Sequence, residues 1–116
     1  MENHMQQYEG VLSALAEKRG LDIVFMDLQG ISTIADSFVL VTANSDIHMK
    51  TLRDAAKKVL DQIEVEYLVE GENSSQWCLI DGGDIVIHIF SRNGREFYRL
   101  DNIWGDVPTE RYEYED

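Results

Sequence analysis

Apolar positions in the first third of the chain change from a helical to an extended spacing at Gly20. Within residues 5–19 they recur every three or four positions, and a basic pair followed by Gly20 is a typical helix stop. Residues 21–28 contain four consecutive apolar positions, which predicts a central strand buried on both faces. Residues 38–42 are mostly β-branched or aromatic and predict a second strand.

The rest of the chain alternates in the same way between helical and extended patterns. Asn44 or Ser45 is expected to cap an amphipathic helix that runs from Asp46 or Ile47 to about Ile63. The later elements are a third strand at 65–69, a polar loop at 70–75, a two-stranded hairpin at 76–90 and a last helix at 96–104. This order predicts an α/β (α+β) fold with a mixed five-stranded sheet covered by helices.

The hairpin at residues 76–90 has two faces of different chemistry. Gly82 and Gly83 suit a two-residue turn, and the simplest register then places Asp81 opposite Asp84 and Trp77 opposite His88. Because side chains alternate along a strand, one face is apolar and is assigned to the core: Cys78, Ile80, Ile85, Ile87 and Ile89. The opposite face carries Trp77, Leu79, Asp81, Asp84, Val86, His88 and Phe90.

This second face mixes carboxylates, an imidazole and aromatic rings. Two carboxylates directly opposite each other repel by up to about 1 kcal/mol, which favours a surface kept for a partner. A structural role is the alternative, because aspartate flanks many turns for its local hydrogen bonds and Trp77 can cover a sheet edge. The candidate partner-binding residues are Trp77, Leu79, Asp81, Asp84 and His88, with the aromatic pair Phe97 and Tyr98 as the next.

The charge of the chain limits its partners. There are 10 Lys and Arg residues against 22 Asp and Glu, a net charge of -12. Binding to a phosphate backbone depends on Lys and Arg, so no direct nucleic-acid binding is expected and a ribonucleoprotein would have to be contacted through a basic protein. The length of 116 residues predicts one domain at 1–108, and the acidic residues beyond Pro108 predict a mobile tail at 109–116.

Composition also limits the compartment and the chemistry. Cys78 is the only cysteine, so an internal disulfide and a Cys-based zinc site are excluded. The first residues show no apolar run of signal-peptide type and are too acidic for a transit peptide, and no apolar run of about 18 residues occurs. These features predict a soluble, cytoplasmic protein that does not enter a membrane.

Metal, cofactor and catalytic sites are not expected. Asp81, Asp84 and His88 are residue types that bind metals, but His88 lies roughly 13 Å along the strand from Asp84 at about 3.3 Å per residue. Cys78 faces the predicted core, and neither a nucleophilic triad nor a Gly-rich phosphate loop is evident.

A set of motifs between about residues 10 and 108 carries a family resemblance. They are Asp27-Leu28-Gln29-Gly30-Ile31-Ser32, Ala35-Asp36-Ser37-Phe38, Ala43-Asn44-Ser45-Asp46, Val69-Glu70-Gly71, the hairpin from Trp77 to Phe90, Arg95-Glu96-Phe97-Tyr98, and the Leu-x-x-x-Trp-Gly-Asp segment from Leu100 to Pro108. In this order they resemble the ribosomal silencing factor family, also called Iojap-like. One small departure is Ala43-Asn44, where the family often has Gly-Thr.

The resemblance implies a nucleotidyltransferase-like fold, dimeric when free, that binds protein fourteen of the large ribosomal subunit on the inter-subunit face. The small subunit then cannot join, and translation is repressed when nutrients are scarce. An acidic protein suits such a basic partner. The implied fold also suggests an alternative, a metal-dependent nucleotidyltransferase, but the Asp-x-Asp pair of those enzymes is broken at Asp84-Ile85-Val86, so no enzyme activity is expected.

Overall fold

The computed structural model of the chain describes residues 4–30, 35–98 and 109–111. The helices are α1 (His4–Gln7), α2 (Glu9–Glu17), α3 (Asp46–Gln62) and α4 (Arg92–Tyr98). The strands are β1 (Leu21–Asp27), β2 (Ser37–Ala43), β3 (Leu68–Glu70), β4 (Trp77–Asp81), β5 (Ile85–Ser91) and β6 (Thr109–Arg111).

The strands described form one mixed sheet in the order β3-β4-β5-β2-β1-β6. Strands β2 and β5 are parallel, with Ser37 aligned with Ile85, and all other neighbours are antiparallel. Parallel neighbours require a long connection, and the segment between β2 and β5 contains α3, which packs on the sheet. The predicted α/β (α+β) class with a mixed, helix-covered sheet is confirmed.

One strand more than the predicted five is present, and it lies in the segment predicted as a mobile tail. Residues 109–111 pair antiparallel with β1, where Phe25 is aligned with Glu110. This pairing gives partners to the backbone groups on that side of β1, which would otherwise be an open sheet edge. The tail prediction is wrong for these three residues. Residues 112–116 and the predicted domain boundary at 108 lie outside the described residues.

The first predicted helix, at 5–19, is divided at Tyr8. The backbone of Tyr8 has φ -111° and ψ 20°, outside the helical region, while its side chain is buried with the main core. Helix α2 ends at the predicted basic pair, where Lys18 is the C-terminal cap and Arg19 has a φ of 65°. The stop signal is therefore confirmed, although the helix is shorter than predicted.

Helices α2 and α3 cover one face of the sheet and form the main core. Helix α3 begins at the predicted cap, because the hydroxyl oxygen of Ser45 accepts the backbone N–H of His48 at 3.0 Å. The apolar hairpin face lies in this core as predicted: Cys78, Ile80, Ile85, Ile87 and Ile89 are all buried there.

Strand β3 begins three positions later than the predicted start at Val65. The backbone N–H of Val65 donates to the carbonyl of Leu60 at 2.9 Å, and Glu64 has a φ of 59°. These features close the C-terminal end of α3 with a left-handed residue, which delays the extended segment. Val65 still packs partly buried against the main core.

Candidate partner-binding face

The hairpin register differs from the predicted one by two residues. Trp77 is aligned with Phe90, Leu79 with His88, and Asp81 with Val86. The predicted opposition of Asp81 to Asp84, and of Trp77 to His88, is therefore wrong. A shift of two preserves the alternation, so every side chain remains on the face to which it was assigned.

The turn explains the shift. The backbone N–H of Gly82 donates to the carbonyl of Ile85 at 2.8 Å, so the central turn residues are Gly83 and Asp84. Gly83 has a φ of 85°, which glycine adopts without steric cost. The carbonyl of Asp84 accepts the backbone N–H groups of Asp36 and Ser37, which ties the turn to the start of β2.

The second hairpin face is a second core cluster, which sequence reasoning missed. Val86 and Phe90 are buried with apolar residues of β1, of β2 and of the segment between them, and Trp77 and Leu79 pack partly buried against this cluster. The prediction of an outer face open to a partner is therefore wrong for His88, which is only 4% exposed. Trp77, Leu79 and Asp81 are partly exposed, and Asp84 is exposed.

Trp77 is held in place by two contacts with β5. Its indole Nε1–H donates to His88 Nδ1 at 3.0 Å, and its ring stacks on Phe90 with 5.5 Å between centroids and 24° between planes. The polar end of the indole is thus satisfied inside the protein. A partner would meet the apolar surface of a ring whose orientation is already set.

Burial determines the protonation state of His88. Desolvation lowers the pKa of the imidazole to about 4, against an opposing effect of the Asp81 carboxylate, so the ring is neutral at pH 7. Because Nδ1 accepts the indole N–H, the proton of the neutral ring lies on Nε2. Nε2 is buried and has no hydrogen-bond partner among the residues that the structure describes. His88 is therefore placed to orient Trp77 rather than to touch a partner.

The two aspartates have separate roles in the turn. Oδ1 of Asp81 accepts the backbone N–H of Gly83 at 2.9 Å, a local bond of the kind that places aspartate beside turns. Asp84 contributes its backbone carbonyl, and the residue is exposed. The structural role left open for Asp81 is present, and neither carboxylate is placed to repel the other across the strands.

This difference predicts unequal effects of two alanine substitutions. Asp81→Ala should lower the free energy of unfolding by about 1 kcal/mol, since it removes an intramolecular hydrogen bond. Asp84→Ala, the matched control with the same change of charge, should alter it by less than about 0.5 kcal/mol. Urea denaturation of the two variants measures both values. Equal losses would show that the turn does not depend on the Asp81 side chain.

Helix α4 begins earlier than the predicted 96–104 and is fixed to the sheet by two arginines. Arg92 Nη2 donates to Asn44 Oδ1 at 2.7 Å, and Arg95 Nη1 donates to Thr42 Oγ1 at 3.0 Å. Neither contact was found from the sequence, where Arg95 stood out only as part of a family motif. Phe97 and Tyr98 end this helix, and their side chains lie outside the described residues.

The start of α4 also requires Gly94. Its backbone N–H donates to the hydroxyl of Ser91 at 2.9 Å. A Cβ at this position would lie 2.1 Å from the carbonyl oxygen of Gln76. The helix can begin beside β4 only because residue 94 has no side chain.

Over residues 1–116 the sequence matches the family described as ribosomal silencing factor during starvation. The chain belongs to this family. The ribosomal silencing factor of Halalkalibacterium halodurans is 37% identical over 100 residues, covering 84% of this chain and 85% of that protein. The corresponding protein of Bacillus subtilis is 36% identical over 100 residues, covering 83% and 82%. A crystal structure of a Chromobacterium violaceum protein matches with a TM-score of 0.82 at 25% identity, covering 98% of this chain and 95% of that one.

Membership of the ribosomal silencing factors supports a ribosome-associated role in silencing translation. Among the described residues, no helix is both long enough and apolar enough to cross a membrane. In the same part of the chain, His, Cys, Asp and Glu side chains do not gather in groups of three that could hold a metal ion.

Proposed function

We propose that this chain represses translation by binding protein fourteen of the large ribosomal subunit and blocking the small subunit from joining. It acts by occupying the inter-subunit face, without catalysis and without a cofactor. In the free state it is a cytoplasmic homodimer. The observation that carries the proposal is the Trp77 indole, held by His88 and Phe90 and partly exposed.

The surroundings of Trp77 fit a protein partner better than a small molecule. Leu79 lies on the same strand and face and is partly exposed, which widens the apolar contact beside the ring. Rigid aromatic anchors of this kind dominate the energetics of protein interfaces. Leu79 and Trp77 would form the centre of the contact, and Phe97 and Tyr98 are proposed as further contact residues.

Charge supports a basic partner. The chain has a net charge of -12, and Asp81 and Asp84 lie at the end of the same hairpin. Carboxylates at an interface rim act mainly on the encounter rate, because they attract Lys and Arg side chains over the Debye length.

Rate measurements with purified large subunits test this proposal. The protein should bind isolated large subunits. A rise in ionic strength from about 0.1 M to about 1 M shortens the Debye length from about 10 Å to about 3 Å, so charges at the interface rim are screened more strongly. The association rate should then fall more than the dissociation rate rises. Absence of binding to large subunits would refute the proposal, and an association rate indifferent to salt would remove the role of the carboxylates.

A further inference from the structure

The edge of the sheet at β3 carries unpaired backbone groups. β3 is the first strand in the sheet order, so among the described residues it pairs only with β4. The N–H of Gly82 and the carbonyl of Gln76 bond to β5, so the alternate residues Leu79 and Asp81 direct their backbone groups to β3. The backbone groups of their partners Glu70 and Leu68 therefore point toward β4. The backbone N–H and carbonyl of Val69, the residue between them, point away from the sheet.

Apolar surface accompanies this open edge. The Leu68 side chain is 73% exposed, and Ile63, at the end of α3, is 44% exposed. The other exposed large hydrophobic residue in the described part of the chain, Ile47, lies at the opposite end of α3. Leu68 therefore offers an apolar contact directly beside the free hydrogen-bonding groups of Val69.

A groove next to β3 completes the surface. It has a volume of about 1240 Å³. Its borders are Leu68 on β3, the preceding residue Tyr67, and the hairpin turn. Its charged lining consists of carboxylates: Asp61, Glu64, Glu66 and Asp81. No Lys or Arg of the described residues lines it. Glu70, at the end of β3, adds a further exposed carboxylate at the same edge.

We propose that β3 binds an extended, basic polypeptide segment as an additional strand. Main-chain hydrogen bonds to Val69 would supply the pairing, an apolar side chain of the segment would cover Leu68, and its Lys or Arg side chains would enter the acidic groove. Edge strands are often protected against pairing by short length, proline or charged side chains, above all lysine. β3 is three residues long, and its one charged residue is Glu70, which attracts a basic segment.

Charge selects this occupant over a second copy of the chain. Pairing of β3 with itself would bring the acidic groove and Glu70 of one copy beside those of the other. Like charges across paired strands are destabilising. A basic segment removes this repulsion. The site does not include Trp77 or His88, but it shares the Asp81 carboxylate with the hairpin end that is proposed to face the ribosome.

Peptide titration of the full chain tests this. The probe is a short peptide that alternates lysine with valine, titrated by calorimetry and followed by the backbone amide signal of Val69 in NMR spectra. Binding should slow hydrogen exchange at the Val69 N–H. The same peptide with N-methyl groups on its pairing amides keeps its charge but should bind at least about 10-fold more weakly, because strand pairing is blocked.

Variants locate the contact on the protein. Glu70→Lys and Leu68→Lys should each weaken binding about 10-fold. Glu17→Lys is the matched control, since Glu17 is an exposed glutamate on α2, which packs near β1 rather than β3, and it should bind as the wild type does. The proposal would be overturned if the N-methylated peptide bound with equal affinity, or if Glu17→Lys weakened binding as much as the β3 variants do. It would also be overturned if the protein formed a dimer through β3 that the peptide does not dissociate. Folded Trp77→Ala should bind the peptide as the wild type does, which separates this site from the contact proposed for the large subunit.

Discussion

Lowering the pH from about 6.5 to about 4 should destabilise the folded protein by about 3 kcal/mol through His88 alone. The pKa of this buried imidazole is lowered from 6.5 to about 4 in the folded state. Between these values the unfolded chain binds a proton that the folded chain does not, so stability rises with pH across this window. A difference of about 2.5 pH units corresponds to about 3 kcal/mol, present in full above pH 6.5 and lost as the pH falls to 4.

The variant His88→Gln isolates this contribution from that of the carboxylates. Glutamine does not titrate, and its side-chain oxygen can accept the indole N–H of Trp77. The free energy of unfolding, measured by urea denaturation at a series of pH values, should fall less steeply in acid for His88→Gln than for the wild type. NMR titration of the His88 ring gives its pKa directly. Parallel curves for the two proteins would show that His88 is not buried in the neutral form.

Truncation of Trp77 should weaken binding to the large subunit by at least 2 kcal/mol, or about 30-fold, as expected for a central aromatic anchor. Stability should fall as well, because Trp77 packs on Phe90 and donates to His88, and its removal leaves Nδ1 unpaired in a buried site. Affinity must therefore be measured at low temperature, with circular dichroism to confirm that Trp77→Ala is folded.

Two further variants separate anchoring from stability. Trp77→Phe keeps an apolar ring on Phe90 and should lose less affinity than Trp77→Ala. Leu79→Lys leaves the indole intact but places a positive charge next to it, so it should weaken binding of a basic partner. If folded Trp77→Ala binds within about threefold of the wild type, the ring is a structural element and the contact lies elsewhere, with the Phe97 and Tyr98 pair the next to test.

The faces of the hairpin could be predicted from the sequence, but its register could not. Alternation separates the apolar Cys78 and Ile80 from Trp77 and Leu79 in either register, because a shift of two leaves every side chain on its face. Two neighbouring glycines allow the turn to be centred on Gly82 and Gly83 or on Gly83 and Asp84. The choice depends on the carbonyl of Asp84, which bonds to the start of β2 far away in the sequence.

The burial of the second face also escaped sequence reasoning. A mixture of tryptophan, histidine and aspartate is typical of an exposed surface, and the pattern cannot reveal that His88 and Trp77 satisfy each other's polar atoms. Long-range contacts such as that of Arg92 with Asn44 could not be predicted for the same reason, because they join residues 48 positions apart in the sequence. The cap at Ser45 and the stop near Gly20 were predictable because they depend on neighbours in the sequence.

Subunit joining, followed by sucrose-gradient sedimentation, tests the central claim most directly. Purified large and small subunits are mixed at a magnesium concentration that permits association, with the wild-type protein, with folded Trp77→Ala, or with neither. The wild-type protein should keep the subunits apart and sediment with the large one, whereas Trp77→Ala should allow them to join. Full association in the presence of saturating wild-type protein would contradict the proposed mechanism.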